Sequence, residues 1–285
     1  MKILMLGGTG QLGSCLKREL SLAGIEFIAP TRTELDLVSS SDFCSVIEQL
    51  TPDAVVNAAA YTAVDKAEQD VQMAFSLNAD LPAKLAIACQ QLSLPLYHIS
   101  TDYVFDGTAC RPYCENATVS PVSVYGDSKL AGERAVLQHC KQGAIIRTSW
   151  LYSEFGNNFV KTILRLAASQ PELGVVADQV GTPTYAGDLA QAIVTILLRT
   201  QHSAPPMDVY HFANQGVASW YDFAWHIVKH TGGATPLKPL ATEDYPTPAK
   251  RPSYSVLNSC KISQRFAVEN RYWLEALVPV LDKLL

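Results

Sequence analysis

Three glycines, Gly7, Gly10 and Gly13, stand three residues apart, directly after the apolar run Ile3-Leu-Met-Leu6 and directly before a stretch that carries Leu12, Leu16 and Leu20 at helical spacing. A strand, a tight turn and a helix satisfy all three patterns together. Gly7 permits the turn, Gly10 lets backbone approach a pyrophosphate, and Gly13 lets the helix pack on the strand, so that the helix N-terminus faces the anion. Glycines at this spacing also occur in ordinary turns. Their placement between strand and helix is what makes them a dinucleotide fingerprint.

The strand and helix rhythm continues to about residue 150. Ile25 to Pro30 reads as a short strand, Ser40 to Leu50 as a helix opening with serines and an aspartate, and Ala54 to Ala58 as a strand following Pro52-Asp53. Pro82 to Leu92 is helical, Pro95 to Ser100 a strand, the segment after Tyr125 a helix to about Cys140, and Ala144 to Thr148 another strand. Such alternation predicts an α/β chain with a Rossmann-type, doubly wound parallel sheet. Beyond Trp150 the rhythm changes: Gly156-Asn-Asn158 leads into a helix, residues 178–187 read as a loop rich in Gly, Pro and Thr, and prolines cluster at 205 and 246–252. Tyr210 to Ala213 reads as a late strand rejoining the sheet. The expected division is therefore interleaved, with 1–150 and about 185–215 binding the dinucleotide and 151–184 with 216–285 forming a smaller substrate-binding lobe.

Composition excludes several other classes. Of the 285 residues 48% are hydrophobic and 17% charged, which supports a core, and a net charge of −5 offers no basic field for nucleic acid. The apolar N-terminal run is far shorter than a secretory core, and Leu189 to Leu198, interrupted by Gln191 and Thr195, is too short to span a bilayer and reads as a buried helix. A cytoplasmic protein with no membrane partner is expected. Seven cysteines are scattered without a CxxC pair, so they read as reduced thiols, and nothing completes a metal set around Cys110 and Cys114.

The chemistry lies in Tyr125-Gly-Asp-Ser-Lys129, where a phenol and an ammonium four residues apart share one helix face. A phenol with an ordinary pKa near ~10 exchanges protons poorly at neutrality, and a neighbouring cation lowers it. Lys129 supplies that cation and can also reach the nicotinamide ribose, while Thr101, closing an upstream strand, can hydrogen-bond a substrate carbonyl oxygen. At the end of the second strand Thr31-Arg32 stands where an acid usually binds the adenosine ribose. A guanidinium there tolerates a 2′-phosphate, so NADPH is favoured, while Glu34 and Asp36 keep NADH open. The small residues of Asn57-Ala-Ala-Ala60 admit a ligand close to the backbone. Arg251 and the loop before it are assigned to substrate phosphates, because a fixed fork of donors suits a diphosphate.

These motifs, with Val56 to Lys66, Ser100-Thr-Asp-Tyr-Val-Phe105, Arg147-Thr-Ser-Trp150, Asn157-Asn-Phe159, Trp220-Tyr-Asp222 and Tyr245 to Pro252, make the chain similar over nearly its whole length to the extended short-chain dehydrogenase/reductases, and within them to the reductases of dTDP-linked keto-sugars. The resemblance implies reduction by NADPH of the C4 ketone of dTDP-4-dehydro-β-L-rhamnose, the last step in making dTDP-L-rhamnose for a surface polysaccharide. It implies Thr101, Tyr125 and Lys129 as the catalytic set, with Asp102 and Trp150 contacting the sugar. Gly10, Gln11, Leu12, Asp36 with Leu37, Ala60, Tyr61 and Thr62 match cofactor positions, beside Gly7, Gly13 and Arg32. Some relatives dimerise through magnesium held by glutamates. Here Cys15 and Gly187 stand at two matching positions, Asp188 is at best a shifted substitute, and the chain ends soon after Lys283, so a homodimer stays open but a metal-bridged one is not expected. Two rival readings remain: an epimerase or dehydratase of the same group, although dehydratases carry Asp-Glu where Asp102-Tyr103 stands here, and a non-catalytic NADP-binding regulatory subunit.

Overall fold

Strand β1 (Lys2–Leu6) carries the fully buried run Ile3 to Leu6, as expected of a parallel strand covered on both faces. The computed structural model describes residues 1–38, 40 and 42–285. After the glycine turn, α1 (Gln11–Leu22) leads to β2 (Glu26–Ile28), which lies parallel to β1. The chain then crosses to the other side of β1. There α2 (Phe43–Leu50) leads into β3 (Ala54–Asn57), paired with β1 from Ile3 and Ala54 to Leu6 and Asn57. Helix α2 starts later than Ser40 because Asp42, outside helical geometry, is its cap and accepts the Ser45 N–H at 3.0 Å. Ser41, expected within the same start, lies outside the described residues.

Next come α3 (Val64–Ala67), α4 (Val71–Phe75), a π-helical turn at Ser76–Asp80 and α5 (Leu81–Gln91), the last three without a break. Sequence reading placed a helix only from Pro82. The proline lacks the N–H that would bond the carbonyl four residues back, on Asn78, and a π turn is one way a helix absorbs that loss. The freed end of Asn78 packs on a later helix, α6 (Val124–His139), where a Cβ on Gly132 would overlap the Asn78 carbonyl oxygen. Between them lies β4 (Leu96–Thr101), and α6 is followed by β5 (Gly143–Thr148).

The remaining strands and α-helices are β6 (Leu151–Tyr152), α7 (Phe159–Ala167), β7 (Leu173–Val176), β8 (Val180–Gly181), β9 (Thr184–Tyr185), α8 (Ala186–Thr200), β10 (Asp208–His211), β11 (Ala218–Ser219), α9 (Trp220–His230), β12 (Leu237–Leu240), α10 (Cys260–Phe266) and α11 (Trp273–Leu284). Residues 178–187, read as a loop, contain two short strands: β9 pairs with β6 and β8 with β11. Two residues are too few to show a period.

The central sheet has the order β10-β5-β4-β3-β1-β2, every neighbouring pair parallel. One face is covered by α1, α8 and α10 and the other by α2, α5 and α6. Chain order reverses between β1 and β3, so their carboxyl ends open a crevice. A second apolar core, with Tyr152, Val160, Phe223 and Trp273, gathers α7, α9 and α11 across that crevice. Among the described residues no helix is long and apolar enough to cross a membrane.

Gly7 adopts φ +83°, and a Cβ there would stand 2.6 Å from the Ala58 carbonyl carbon; a Cβ on Gly13 would overlap the Gly7 carbonyl oxygen, whereas one on Gly10 would meet only that oxygen, at 3.4 Å. Gly13→Ala should therefore cost about 1–3 kcal/mol of stability through overpacking, and Gly10→Ala markedly less. Thermal unfolding of the two variants checks this, and equal midpoints would contradict it.

Candidate active site

A cavity of about 720 Å³ fills the crevice. At one end is the start of α1. Its cap is Gly10, which offers no side chain, and its first turn holds no acid, so the leading N–H groups are left for an external anion. Gly7, Gly10, Gln11, Leu12 and Gly13 all line the cavity there, and the bare cradle suits a pyrophosphate. Gln11 also ties this turn to the second core: its Oε1 accepts from Ser153 Oγ at 3.1 Å and Asn158 Nδ2 at 2.9 Å.

Arg32, Asp36 and Leu37 line the wall beyond β2, and Ala60 and Thr62 the wall beyond β3. Glu34 does not. Its carboxylate accepts from Thr31 N and Thr31 Oγ1, closing its own turn. Tyr61 is also absent from the wall: its backbone exchanges hydrogen bonds with the Asn78 side chain at 2.8 and 3.0 Å, and its hydroxyl donates to Asp70.

Thr101, Asp102, Tyr125, Lys129 and Trp150 converge on the cavity. Thr101 ends β4, and its hydroxyl donates to Asp102 Oδ1 at 3.0 Å while accepting Tyr103 N–H at 3.2 Å. Tyr125 and Lys129 come from the first two turns of α6, whose cap Ser123 accepts the Gly126 N–H. The protein alone does not acidify the phenol as expected. Burial pushes Tyr125 up to about 12, hydrogen bonding with Thr101 pulls it back, and the Asp102 carboxylate pushes it further up. Lys129, itself buried, donates instead to the Ile99 carbonyl at 2.6 Å, and desolvation brings its ammonium down to about 8 against the opposing field of Glu133. Burial likewise raises Asp102 to about 6, moderated by Ser255 and Thr101.

Trp150 stands at φ +46°, a conformation costly for a residue with a bulky side chain. Its indole stacks on Trp220 with centroids 3.5 Å apart and planes 5° apart, and a Cβ on Gly181 would come within 2.5 Å of that indole. Trp220, at the start of α9, lines the same cavity. Sequence reading quoted it within a motif without giving it a place in the site. Asn78, whose burial inside a π turn no short-range pattern announces, was missed altogether. Arg251, assigned to substrate phosphates, is outside the cavity wall, where its guanidinium bonds Asp65 at 2.7 Å.

Among the described residues no group of three or more His, Cys, Asp and Glu side chains could hold a metal ion. Asp188 is bonded by Arg271 at 2.8 and 2.7 Å and by Asn214. Cys15 is buried.

A parallel sheet whose switch point presents an uncapped helix start, with a phenol, a hydroxyl and an ammonium opposite, defines a dinucleotide-dependent oxidoreductase. The family described as RmlD substrate binding domain matches residues 1–285, and the chain belongs to it. A dTDP-4-dehydrorhamnose reductase of Sinorhizobium fredii is 41% identical over 282 residues, covering 97% of this chain and 95% of that protein. Among solved structures, a dTDP-4-dehydrorhamnose reductase from Clostridium acetobutylicum superposes with a TM-score of 0.93 at 39% identity, covering 100% of this chain and 99% of that one. Another from Bacillus anthracis, in complex with NADP, gives 0.92 at 34% identity and 99% coverage of both chains.

Because burial has lowered Lys129 to about 8, the ammonium is charged below that pH and lost as pH rises through it. The free enzyme's kcat/KM should fall on an alkaline limb near pH 8. A profile flat to pH 10 would contradict the need for a charged Lys129.

Proposed function

We propose that this chain reduces the C4 ketone of dTDP-4-dehydro-β-L-rhamnose with NADPH, giving dTDP-L-rhamnose. The observation that carries the reading is the meeting of Thr101, Tyr125 and Lys129 in a cavity whose far end is the bare start of α1. It is supported by the relatives named dTDP-4-dehydrorhamnose reductase and by the solved relative that holds NADP.

When bound, the reduced dinucleotide supplies a hydride to the ketone carbon. The uncapped N–H groups at Gly10 to Leu12 hold its pyrophosphate, and Arg32 meets the 2′-phosphate while Asp36 and Leu37 bound the adenosine. Thr101 hydrogen-bonds the ketone oxygen, and Tyr125 gives up its proton there. A phenol raised to about 12 still yields its proton to an alkoxide, since an alcohol holds a proton more tightly than a phenol does. Its high pKa keeps the proton in place until that charge develops. Lys129 stabilises the phenolate left behind and reaches the nicotinamide ribose. Trp150, backed by Trp220, faces the sugar, and Asp102 bonds one of its hydroxyls. Arg251, held beside Asp65, is assigned to the sugar's diphosphate. On this reading residues 1–150 with about 185–215 form the cofactor domain, and 151–184 with 216–285 the substrate lobe.

Tyr125→Phe removes one hydroxyl and leaves the ring. It should lower kcat by roughly 10²–10⁴-fold while NADPH affinity, measured by titration, stays within about twofold of the parent. A variant reducing the keto-sugar at the parental rate would overturn the assignment.

A further inference from the structure

Tyr125 and Lys129 are two members of a longer row. Glu133 follows at the next four-residue step on the same face of α6, and it is almost fully buried, with 1% of its surface exposed. These three side chains address the last three residues of β4: Tyr125 the hydroxyl of Thr101, Lys129 Nζ the carbonyl of Ile99 at 2.6 Å, and Glu133 Oε1 the hydroxyl of Ser100 at 2.5 Å. Helix and strand are thus joined at three points, and Glu133 is the most heavily bonded of the three.

Across the sheet, Ser100 pairs in register with Arg147 of β5, and Arg147 with His211 of β10. Arg147 gives Nε and Nη2 to the two Glu133 oxygens at 2.8 and 2.6 Å, a bidentate fork, and its Nη1 faces His211 Nε2 at 3.3 Å. His211 Nδ1 lies 3.0 Å from the Tyr113 carbonyl, so that nitrogen carries the hydrogen and Nε2 is left to accept from the guanidinium. Burial and the adjacent Arg147 hold His211 far down, at about 3, which keeps the ring neutral. Ser100, Glu133, Arg147 and His211 are all hydrogen-bonded, at a cost in desolvation that apolar side chains would avoid.

We propose that Glu133 is a positioning residue for the reduction: the anion that, clamped by Arg147 and Ser100 one helical turn from Lys129, keeps that ammonium charged where the Ile99 carbonyl holds it under Tyr125. The inference rests on the function assigned above. The other groups facing Lys129 do not supply that charge. His98 of β4 is buried and neutral, its pKa lowered by desolvation and by Lys129 itself; Tyr125 keeps its proton; Arg147 and His211 are a cation and a neutral ring. Asp102, beyond the end of β4, is bonded by Thr101 and presses on Tyr125, and Glu68 accepts the Val124 N–H at the opposite end of the helix. Glu133 is the carboxylate whose field opposes the desolvation of Lys129. A pair that only tied helix to sheet, its two charges cancelling at Lys129, would leave the lysine's titration alone.

The test follows Lys129 directly, by NMR of protein labelled with ¹³C at the lysine ε-carbon, with Lys129→Met identifying the signal. Glu133→Gln keeps shape and removes charge, and should lower the Lys129 midpoint by about one pH unit, with the alkaline limb of kcat/KM moving by the same amount. Since an unpaired buried guanidinium undermines folding, Glu133→Gln combined with Arg147→Met is made in parallel, and its midpoint should fall by a smaller amount. Glu133→Asp should return the midpoint toward the parent. A midpoint that is unchanged or raised in the folded charge-removing variants would overturn the proposal. If the parent fails to oxidise NADPH with the keto-sugar while the midpoint still falls, the functional reading is wrong, the role in that reduction falls with it, and only the coupling of Glu133 to Lys129 stands.

Discussion

The contact on which the site depends is the close seating of α6 against the end of β4. It is close because two positions of that helix have no side chain. A Cβ on Gly126 would overlap the Tyr103 carbonyl oxygen just past β4, and one on Gly132 the carbonyl oxygen of Asn78 in the π turn, which flanks the helix on another side. With the helix held at that distance, Tyr125, Lys129 and Glu133 meet three successive strand residues, the last two through short polar contacts. A looser helix would leave the same side chains buried and unpaired, which costs more than it gains. Burial then sets the chemistry: it holds the proton on the phenol and brings the ammonium near its titration point.

The second constraint is topological. Because strand order reverses between β1 and β3, no helix covers the ends of those strands, and the bare start of α1 is turned toward the gap. The second core closes the other side. Gln11, bonded to Ser153 and Asn158, links the glycine turn to that core, and the Trp150 and Trp220 stack joins the end of β5 to the start of α9. Ends of the cavity built for an anion and for an apolar ring face are thereby fixed relative to the phenol.

Much of this was legible in the residues alone, for physical reasons. A buried parallel strand needs an uninterrupted apolar run, a tight turn under a helix needs glycine, and two groups on one helix face need a four-residue step, so β1, Gly7 to Gly13 and the pair Tyr125 and Lys129 could be read directly. What could not be read depends on distant partners. The π turn follows from Pro82 only once Asn78 is known to sit under Gly132. Tyr61 and Arg251 lie beside the cavity wall rather than in it, tied to Asn78 with Asp70 and to Asp65 respectively, pairings that no spacing rule names. Lys129 bonds a backbone carbonyl that no spacing rule names, and the burial of Tyr125 is likewise a product of distant packing; that burial is why the acidified phenol expected from the sequence gave way to a raised one.

The central claim is that this phenol delivers a proton where a hydride arrives from the reduced dinucleotide. The most direct measurement supplies dTDP-4-dehydro-β-L-rhamnose together with NADPH deuterated at its transferable position and follows both products by mass spectrometry. One deuterium at C4 of the sugar for each NADPH oxidised is the result the account predicts. Sugar turnover without net oxidation of the cofactor, or product carrying no deuterium, would contradict it.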